Sequence, residues 1–212
     1  MEGHWNHKRI RNEIQGIRQI SGCRNLTTLQ MKIAHMMQVF RGWMMATVRF
    51  IRGMRCNGLG ADTRIATRFH KYSGEISFIE PLGNRFFEWR LDIYGQYSKD
   101  RLYGSEMLSI GGNSSVRGLE ESLYSGECGG FIRNELCYRL RRRKEGNNEL
   151  FVGYDVGRIF RNYGTQEVGR LSGFACGWRF KGQQLNLELS LSRALHTIGT
   201  GMFFNFKLGV HF

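Results

Sequence analysis

Residues 185–195 read LNLELSLSRAL and residues 202–212 read MFFNFKLGVHF. In the second stretch Met202, Phe204, Phe206, Leu208, Val210 and Phe212 occupy every second position, with Phe203, Asn205, Lys207, Gly209 and His211 between them. In the first, Leu185, Leu187, Leu189 and Leu191 alternate with Asn186, Glu188, Ser190 and Ser192. Successive side chains of a strand point to opposite faces, so each stretch presents one apolar face and one polar or small face. A turn around Thr197–Gly201 joins the two as a hairpin.

The same period of two runs backwards through the chain. Phe174, Cys176, Trp178 and Phe180 alternate with Gly173, Ala175, Gly177 and Arg179, and Leu150, Val152, Tyr154 and Val156 with Phe151, Gly153, Asp155 and Gly157. Ile132, Leu136, Tyr138 and Leu140 alternate with Arg133, Glu135, Cys137 and Arg139, with Asn134 interrupting the apolar face. Phe87, Trp89, Leu91, Ile93 and Tyr97 alternate with Glu88, Arg90, Asp92, Tyr94 and Gln96, and a weaker strand lies near Lys71–Glu80. The pattern predicts about seven antiparallel strands, most near ten residues or longer. Strands of ordinary sheets peak at about five or six residues, whereas a tilted strand crossing a bilayer needs about nine to eleven. A soluble sandwich or lipocalin-like barrel with its apolar faces inward is the alternative. Charges on the polar face, among them Glu88, Arg90, Asp92, Arg133, Glu135, Asp155, Arg179, Glu188 and Lys207, suit a water-filled lumen. The terminal aromatic Phe212, in register with the apolar face, also favours apolar-out.

Composition agrees with a β-rich chain: 212 residues hold 28 glycines, one proline and 13% aromatics. Collagen, disordered and disulfide-miniprotein classes are excluded by the lack of a glycine period, by the aromatics and by an odd number of cysteines. The most apolar stretch, 33–51, is interrupted by His35, Gln38, Arg41 and Arg49, so no spanning helix is expected. The five cysteines form no C-x-x-C pair, and no metal site, catalytic residue or cofactor is expected. The net charge of +13 is uneven. Residues 1–60 carry ten Lys/Arg against two acids and hold seven of the nine methionines. This basic Met/Arg-rich segment is left unassigned, expected to be irregular or helical. It reads as an unstructured arm, a degenerate remnant, or the product of a misplaced start or shifted frame. A nucleic-acid partner is not expected, since no phosphate loop or zinc-finger spacing accompanies the charge. No signal peptide is read at the start.

Residues 99–129 fit neither a strand nor a short turn. Loops this long are usually disordered or functional. This one carries Gly111-Gly112, then Val116-Arg117-Gly118-Leu119, then Glu120-Glu121. Gly118 after an arginine points to a tight bend that presents Arg117 at a tip. Arg117 is then either a solvated loop charge or a buried one that requires a carboxylate partner.

The run IGGNSSVRGLEESLYSGECGGFIRNEL at 110–136 resembles the signature segment of two-partner secretion outer-membrane transporters, the hemolysin secretion/activation family. The resemblance rests on Gly111-Gly112, on Val116-Arg117-Gly118, on Arg133-Asn134-Glu135, and on FVGYDVGRIF at 151–160 with Gly153, Asp155 and Gly157. It covers residues 61–212, and Leu119 departs from it by standing where family members carry an aromatic. The resemblance implies the C-terminal part of a transmembrane β-barrel of about sixteen strands, preceded in the family by POTRA domains. It also implies that loop 99–129 folds into the lumen, with Arg117 at its tip paired to Asp155 on the inner wall. The implied activity is ATP-independent export of a large exoprotein, a hemolysin or adhesin, across the outer membrane of a Gram-negative bacterium. The implied partners are that exoprotein, outer-membrane lipid and the barrel assembly machinery. With seven strands and two open edges, the chain reads as a truncated or fragmentary transporter. A passive porin-like barrel and a non-functional relic are the alternatives; an enzyme is not expected.

Overall fold

A computed structural model describes residues 2–10, 13–14, 17–18, 24–55, 68–83, 86–140, 146–161, 164–195 and 201–210, without the side chains of 5–10, 13–14, 17–18, 24–26 and 55. Fourteen strands follow in chain order: β1 (Glu2–Ile10), β2 (Glu13–Ile14), β3 (Ile17–Arg18), β4 (Arg24–Val39), β5 (Gly42–Arg55), β6 (Phe69–Leu82), β7 (Phe87–Tyr97), β8 (Leu108–Ile110), β9 (Tyr124–Gly126), β10 (Cys128–Arg139), β11 (Gly146–Arg161), β12 (Gln166–Gly182), β13 (Leu185–Leu195) and β14 (Met202–Val210). Ten of them form one antiparallel sheet in the order β1-β4-β5-β6-β7-β10-β11-β12-β13-β14. Among the described residues β1 and β14 are its edges, and the sheet does not close into a ring.

All seven strands read from the alternation are present, as β6, β7 and β10 to β14. The N-terminal segment is a correction. Its described residues are mostly strand rather than irregular or helical: β4 and β5 are strands of 16 and 14 residues, and β5 pairs with β6 from Gly53↔Phe69 to Trp43↔Ile79. Arg49 Nη2 meets Glu75 Oε2 at 2.7 Å across that seam, so one of the segment's basic residues pairs within the sheet. The reason the pattern hid these strands is chemical. Met36-Met37 and Met44-Met45 put an unbranched apolar side chain on both faces, and methionine packs in helices and strands alike.

Burial decides which face looks where. Along β11, Glu149, Phe151, Gly153, Asp155, Gly157 and Ile159 are buried, while Leu150, Val152, Tyr154 and Arg158 between them are exposed. Phe151 is 2% exposed and its neighbour Val152 46%. Phe204, Phe206, Leu208 and Val210 of β14 are open likewise. Most apolar side chains line the outside and most charged and small ones face inward, with Phe151 and Ile159 inward and Arg158 outward as exceptions on β11. A soluble sandwich requires the reverse, so the soluble alternative fails on this point. An outward apolar band backed by a polar interior is the arrangement of a membrane barrel wall.

The sheet is curled. Asn113 of the long loop accepts a hydrogen bond at its carbonyl from Arg133 Nη1 of β10 (3.1 Å) and donates from Nδ2 to Asn205 Oδ1 of β14 (2.5 Å). On a flat sheet β10 and β14 would lie four spacings apart, about 19 Å at about 4.8 Å each. One residue can touch both only if the sheet wraps around the loop.

The outward face yields a first test. Val152→Arg, in the middle of β11, is expected to lower stability in lipid vesicles by about 2–4 kcal/mol, read by denaturant unfolding. A neutral result would place that face away from lipid.

Candidate functional site

The long loop folds onto the concave face. Its root is held at Lys71, whose Nζ donates to Glu106 Oε2 (2.7 Å) and to the Glu106 carbonyl (3.1 Å), and at Gln96, whose Nε2 donates to the same carbonyl (3.0 Å). Leu102 and Tyr103 pack on Phe69 beside it. Farther along, β8 and β9 pair as a short hairpin stem from Leu108↔Gly126 to Ile110↔Tyr124. Gly111 and Gly112 then turn the chain with φ of +120° and +76°, a region in which a Cβ is strained. The Ser115 hydroxyl closes this turn, accepting from the Gly111 amide (2.9 Å) and donating to the Gly111 carbonyl (3.0 Å).

The tip follows. Val116 is fully buried in a cluster with Leu108, Ile110, Ile159, Leu171 and Ala194, against which Leu119 also packs. Burying a valine side chain contributes about 1.5–3 kcal/mol, which anchors the tip independently of its charge. Gly118 has φ of +107°, and its carbonyl accepts from the Ala194 amide of β13 at 3.2 Å. Between them stands Arg117, 4% exposed. Its Nε and Nη2 donate to Asp155 Oδ2 (2.6 Å) and Oδ1 (2.7 Å), a bidentate pair, and its backbone amide donates to Oδ2 at 3.1 Å. Its Nη1 donates to Glu135 Oε1. Burial pulls the guanidinium toward neutrality, but its hydrogen bonds to Asp155 and the charges of both carboxylates outweigh it, so Arg117 stays above its ordinary value and charged.

The wall makes room by omission. A Cβ on Gly153 would stand 2.5 Å from Arg117 Nη2, one on Gly157 would meet Val116 Cγ2 at 3.0 Å, and one on Gly173 would strike the Arg117 carbonyl oxygen. Register places these beside the pair: Asp155 lies opposite Arg133 on β10 and Gly173 on β12, and Gly153 lies opposite Glu135.

Of the residues singled out by sequence, the structure brings Val116, Arg117, Gly118, Glu135, Gly153, Asp155 and Gly157 into one site, with Gly111 and Gly112 at its neck. The solvated-charge reading of Arg117 is excluded. Arg133 braces the loop at Asn113, and its Nη2 lies 3.7 Å from Glu135 Oε1. Asn134, next along β10, lies on the opposite face of the strand from Glu135. Phe212 lies outside the described residues.

Sequence reasoning missed a larger ionic array. Arg179 of β12 grips Glu135 with Nη1 (2.7 Å) and Nη2 (3.0 Å), reaches Glu188 with Nε (2.9 Å), and lies 3.8 Å over the Phe151 ring. Arg90 of β7 forms a bidentate pair with Glu149 (2.7 and 2.8 Å) and bonds Glu88 through Nε (2.6 Å); Arg139 also meets Glu88. These residues were legible as polar-face charges. Their pairing depends on cross-strand register, which alternation does not specify.

A family model described as "Haemolysin secretion/activation protein ShlB/FhaC/HecB" matches residues 1–180. The chain belongs to this family. The match includes residues 1–60, which corrects the expectation that the resemblance begins only at residue 61. The chain is 34% identical over 145 residues to the outer membrane transporter CdiB of Escherichia coli O6:K15:H31 (strain 536 / UPEC), covering 66% of this chain and 24% of that protein. It is 28% identical over 200 residues to the hemolysin transporter protein ShlB of Serratia marcescens, covering 91% of this chain and 35% of that protein. The solved structure of CdiB from Escherichia coli superimposes with a TM-score of 0.86 at 26% identity, over 98% of this chain and 41% of that one. The chain thus spans about a quarter to a third of the length of these curated relatives.

Two glycines test the site's geometry. Gly173→Ala is expected to lift the tip and raise protease cleavage within 111–123 several-fold. Gly74→Ala, where a Cβ meets nothing within 4 Å, is expected to leave cleavage unchanged. Equal behaviour of the two variants would contradict the docked tip.

Proposed function

We propose that this chain supplies the C-terminal wall and lumenal loop of an outer-membrane transporter that exports a large exoprotein of the hemolysin or adhesin type by two-partner secretion. Family membership supports the class of activity, and relatives named outer membrane transporter and hemolysin transporter support the location and the cargo. The observation that carries the reading is the Arg117–Asp155–Glu135 cluster at the end of a loop packed along the inner wall. A passive pore can also carry a loop in its lumen, but does not need a buried tip arginine paired with a wall aspartate. A transporter that must stay shut between substrates does.

In this reading residues 61–212, with loop 99–129, are the C-terminal barrel portion, and β1, β4 and β5 extend its wall. The open edges β1 and β14 need partner strands before the sheet can sit in lipid, because unpaired N–H and C=O groups are costly there. Further strands of the same transporter are the partners the resemblance supplies, with the barrel assembly machinery inserting the whole. The lumen is polar and lined by paired charges. An unfolded chain passes such a wall with less sticking where the wall charges are already paired, as at Arg90, Arg117 and Arg179.

The mechanism assigned to the residues is a latch. At rest Arg117 sits between Asp155 and Glu135, Val116 fills the apolar cluster, and the loop occupies the lumen. Opening requires the guanidinium to leave, and removal of one partner of a buried pair costs about 3–5 kcal/mol. Spontaneous opening is therefore rare, and arrival of the exoprotein must offset that cost.

In a full-length transporter carrying this segment, Arg117→Ala is expected to leave the loop unlatched, so that the resting lumen conducts solutes. Because the tip no longer has a defined seat to leave and regain, exoprotein secretion is expected to fall at least tenfold while heat-modifiable barrel remains in the outer membrane. Secretion at the level of the parent protein would contradict the assigned role of Arg117. Solute flux without any exoprotein export by the parent protein would support a passive pore instead.

A further inference from the structure

The two carboxylates that face Arg117 are not equivalent. Glu135 has a second cation, since Arg179 Nη1 and Nη2 reach it at 2.7 and 3.0 Å. Arg179 is itself fixed, by Glu188 at 2.9 Å and by the Phe151 ring 3.8 Å beneath it. Asp155 is fully buried, and among the described residues the three hydrogen bonds it accepts all come from Arg117. If the guanidinium leaves, Glu135 stays neutralised by Arg179. Asp155 loses all three of those bonds. The cation opposite it in register, Arg133, is directed to the Asn113 carbonyl and to Glu135, so the vacated carboxylate strongly favours a further cation of the right shape.

That shape belongs to the wall. Gly153 leaves the hollow for Nη2, bounded by the Asn134 carbonyl, 2.8 Å from where a Gly153 Cβ would stand. The Phe151 ring lies 5.8 Å from the Arg117 guanidinium carbon. The loop backbone is anchored by other means, through Val116 in its apolar cluster and the Gly118 carbonyl on the Ala194 amide. The slot and the loop that fills it are therefore separable.

We propose that Asp155 and Gly153 form a guanidinium-binding slot on the lumen wall, filled by Arg117 at rest and by an arginine side chain of the polypeptide in transit once the tip has moved. This rests on the export reading above. The planar fork of a guanidinium meets both oxygens of Asp155 at once, whereas an ammonium offers a single point charge. The slot thus prefers arginine to lysine. An arginine in the slot also keeps Arg117 from redocking while chain remains in the lumen.

The test uses the purified full-length transporter with Arg117→Ala, reading the rate of protease cleavage within 111–123. Methylguanidinium, small enough to fill the slot beneath a docked tip, is expected to slow cleavage about tenfold toward the parent rate. Methylammonium at matched ionic strength is expected to leave it unchanged. The response is expected to vanish in Arg117→Ala/Asp155→Asn and to persist in Arg117→Ala/Glu135→Gln. An equal response to methylammonium, or one that survives loss of Asp155, overturns the proposal. Should Arg117→Ala fail to fold, the same probes are applied to the unmodified transporter. There methylguanidinium is expected to speed cleavage by competing with Arg117, and no difference from methylammonium would overturn the slot. Cleavage is read without secretion, so a transporter that passes this test yet exports nothing contradicts the export reading and leaves the slot standing.

Discussion

A charged guanidinium in a nearly sealed site is the constraint around which this chain is arranged. Desolvating an ion pair costs several kcal/mol per ion, and only well-aligned, multiply bonded geometry offsets it. Arg117 meets that demand with a bidentate pair to Asp155, a further bond from its own backbone amide and a second carboxylate in Glu135. The surroundings follow from this requirement. Side chains are missing at Gly153, Gly157 and Gly173, where a Cβ would collide with the tip, and the tip bends at Gly118 where φ is +107°.

The wall behind the pair extends the same logic. Arg179 joins Glu135 to Glu188, and Arg90 joins Glu149 to Glu88, so two arginines, on β7 and β12, tie together carboxylates of β7, β10, β11 and β13. Arg90, Arg117 and Arg179 each meet carboxylates from more than one element. Cross-strand ion pairs of this kind fix register where the inner face offers little hydrophobic contrast to do so. The outer face needs no such pairing, because alternating apolar side chains such as Val152 and Phe204 make their own case for lipid.

How far the sequence carried differs from region to region. The strands with clean alternation, such as Leu185–Leu195 and Met202–Val210, were legible because one face is uniformly apolar. The strands β4 and β5 were not, because paired methionines erase the contrast between faces. The tip arginine and the wall aspartate were legible through resemblance, and the inward face of Asp155 also through alternation. Residue chemistry alone left Arg117 open between a solvated and a buried charge. Arg179 as second partner of Glu135 was invisible, since it depends on which residues of β10 and β12 come within reach across β11.

The central claim is that Arg117 is paired with Asp155 inside the lumen when no substrate is present. Solid-state NMR on the full-length transporter in bilayers, with arginine side-chain nitrogens labelled and the aspartate carboxyl carbon labelled, measures that separation directly. The account predicts strong dipolar coupling at hydrogen-bonding distance, assigned to this pair by its loss in Asp155→Asn. Absence of any such coupling in the resting protein would contradict it.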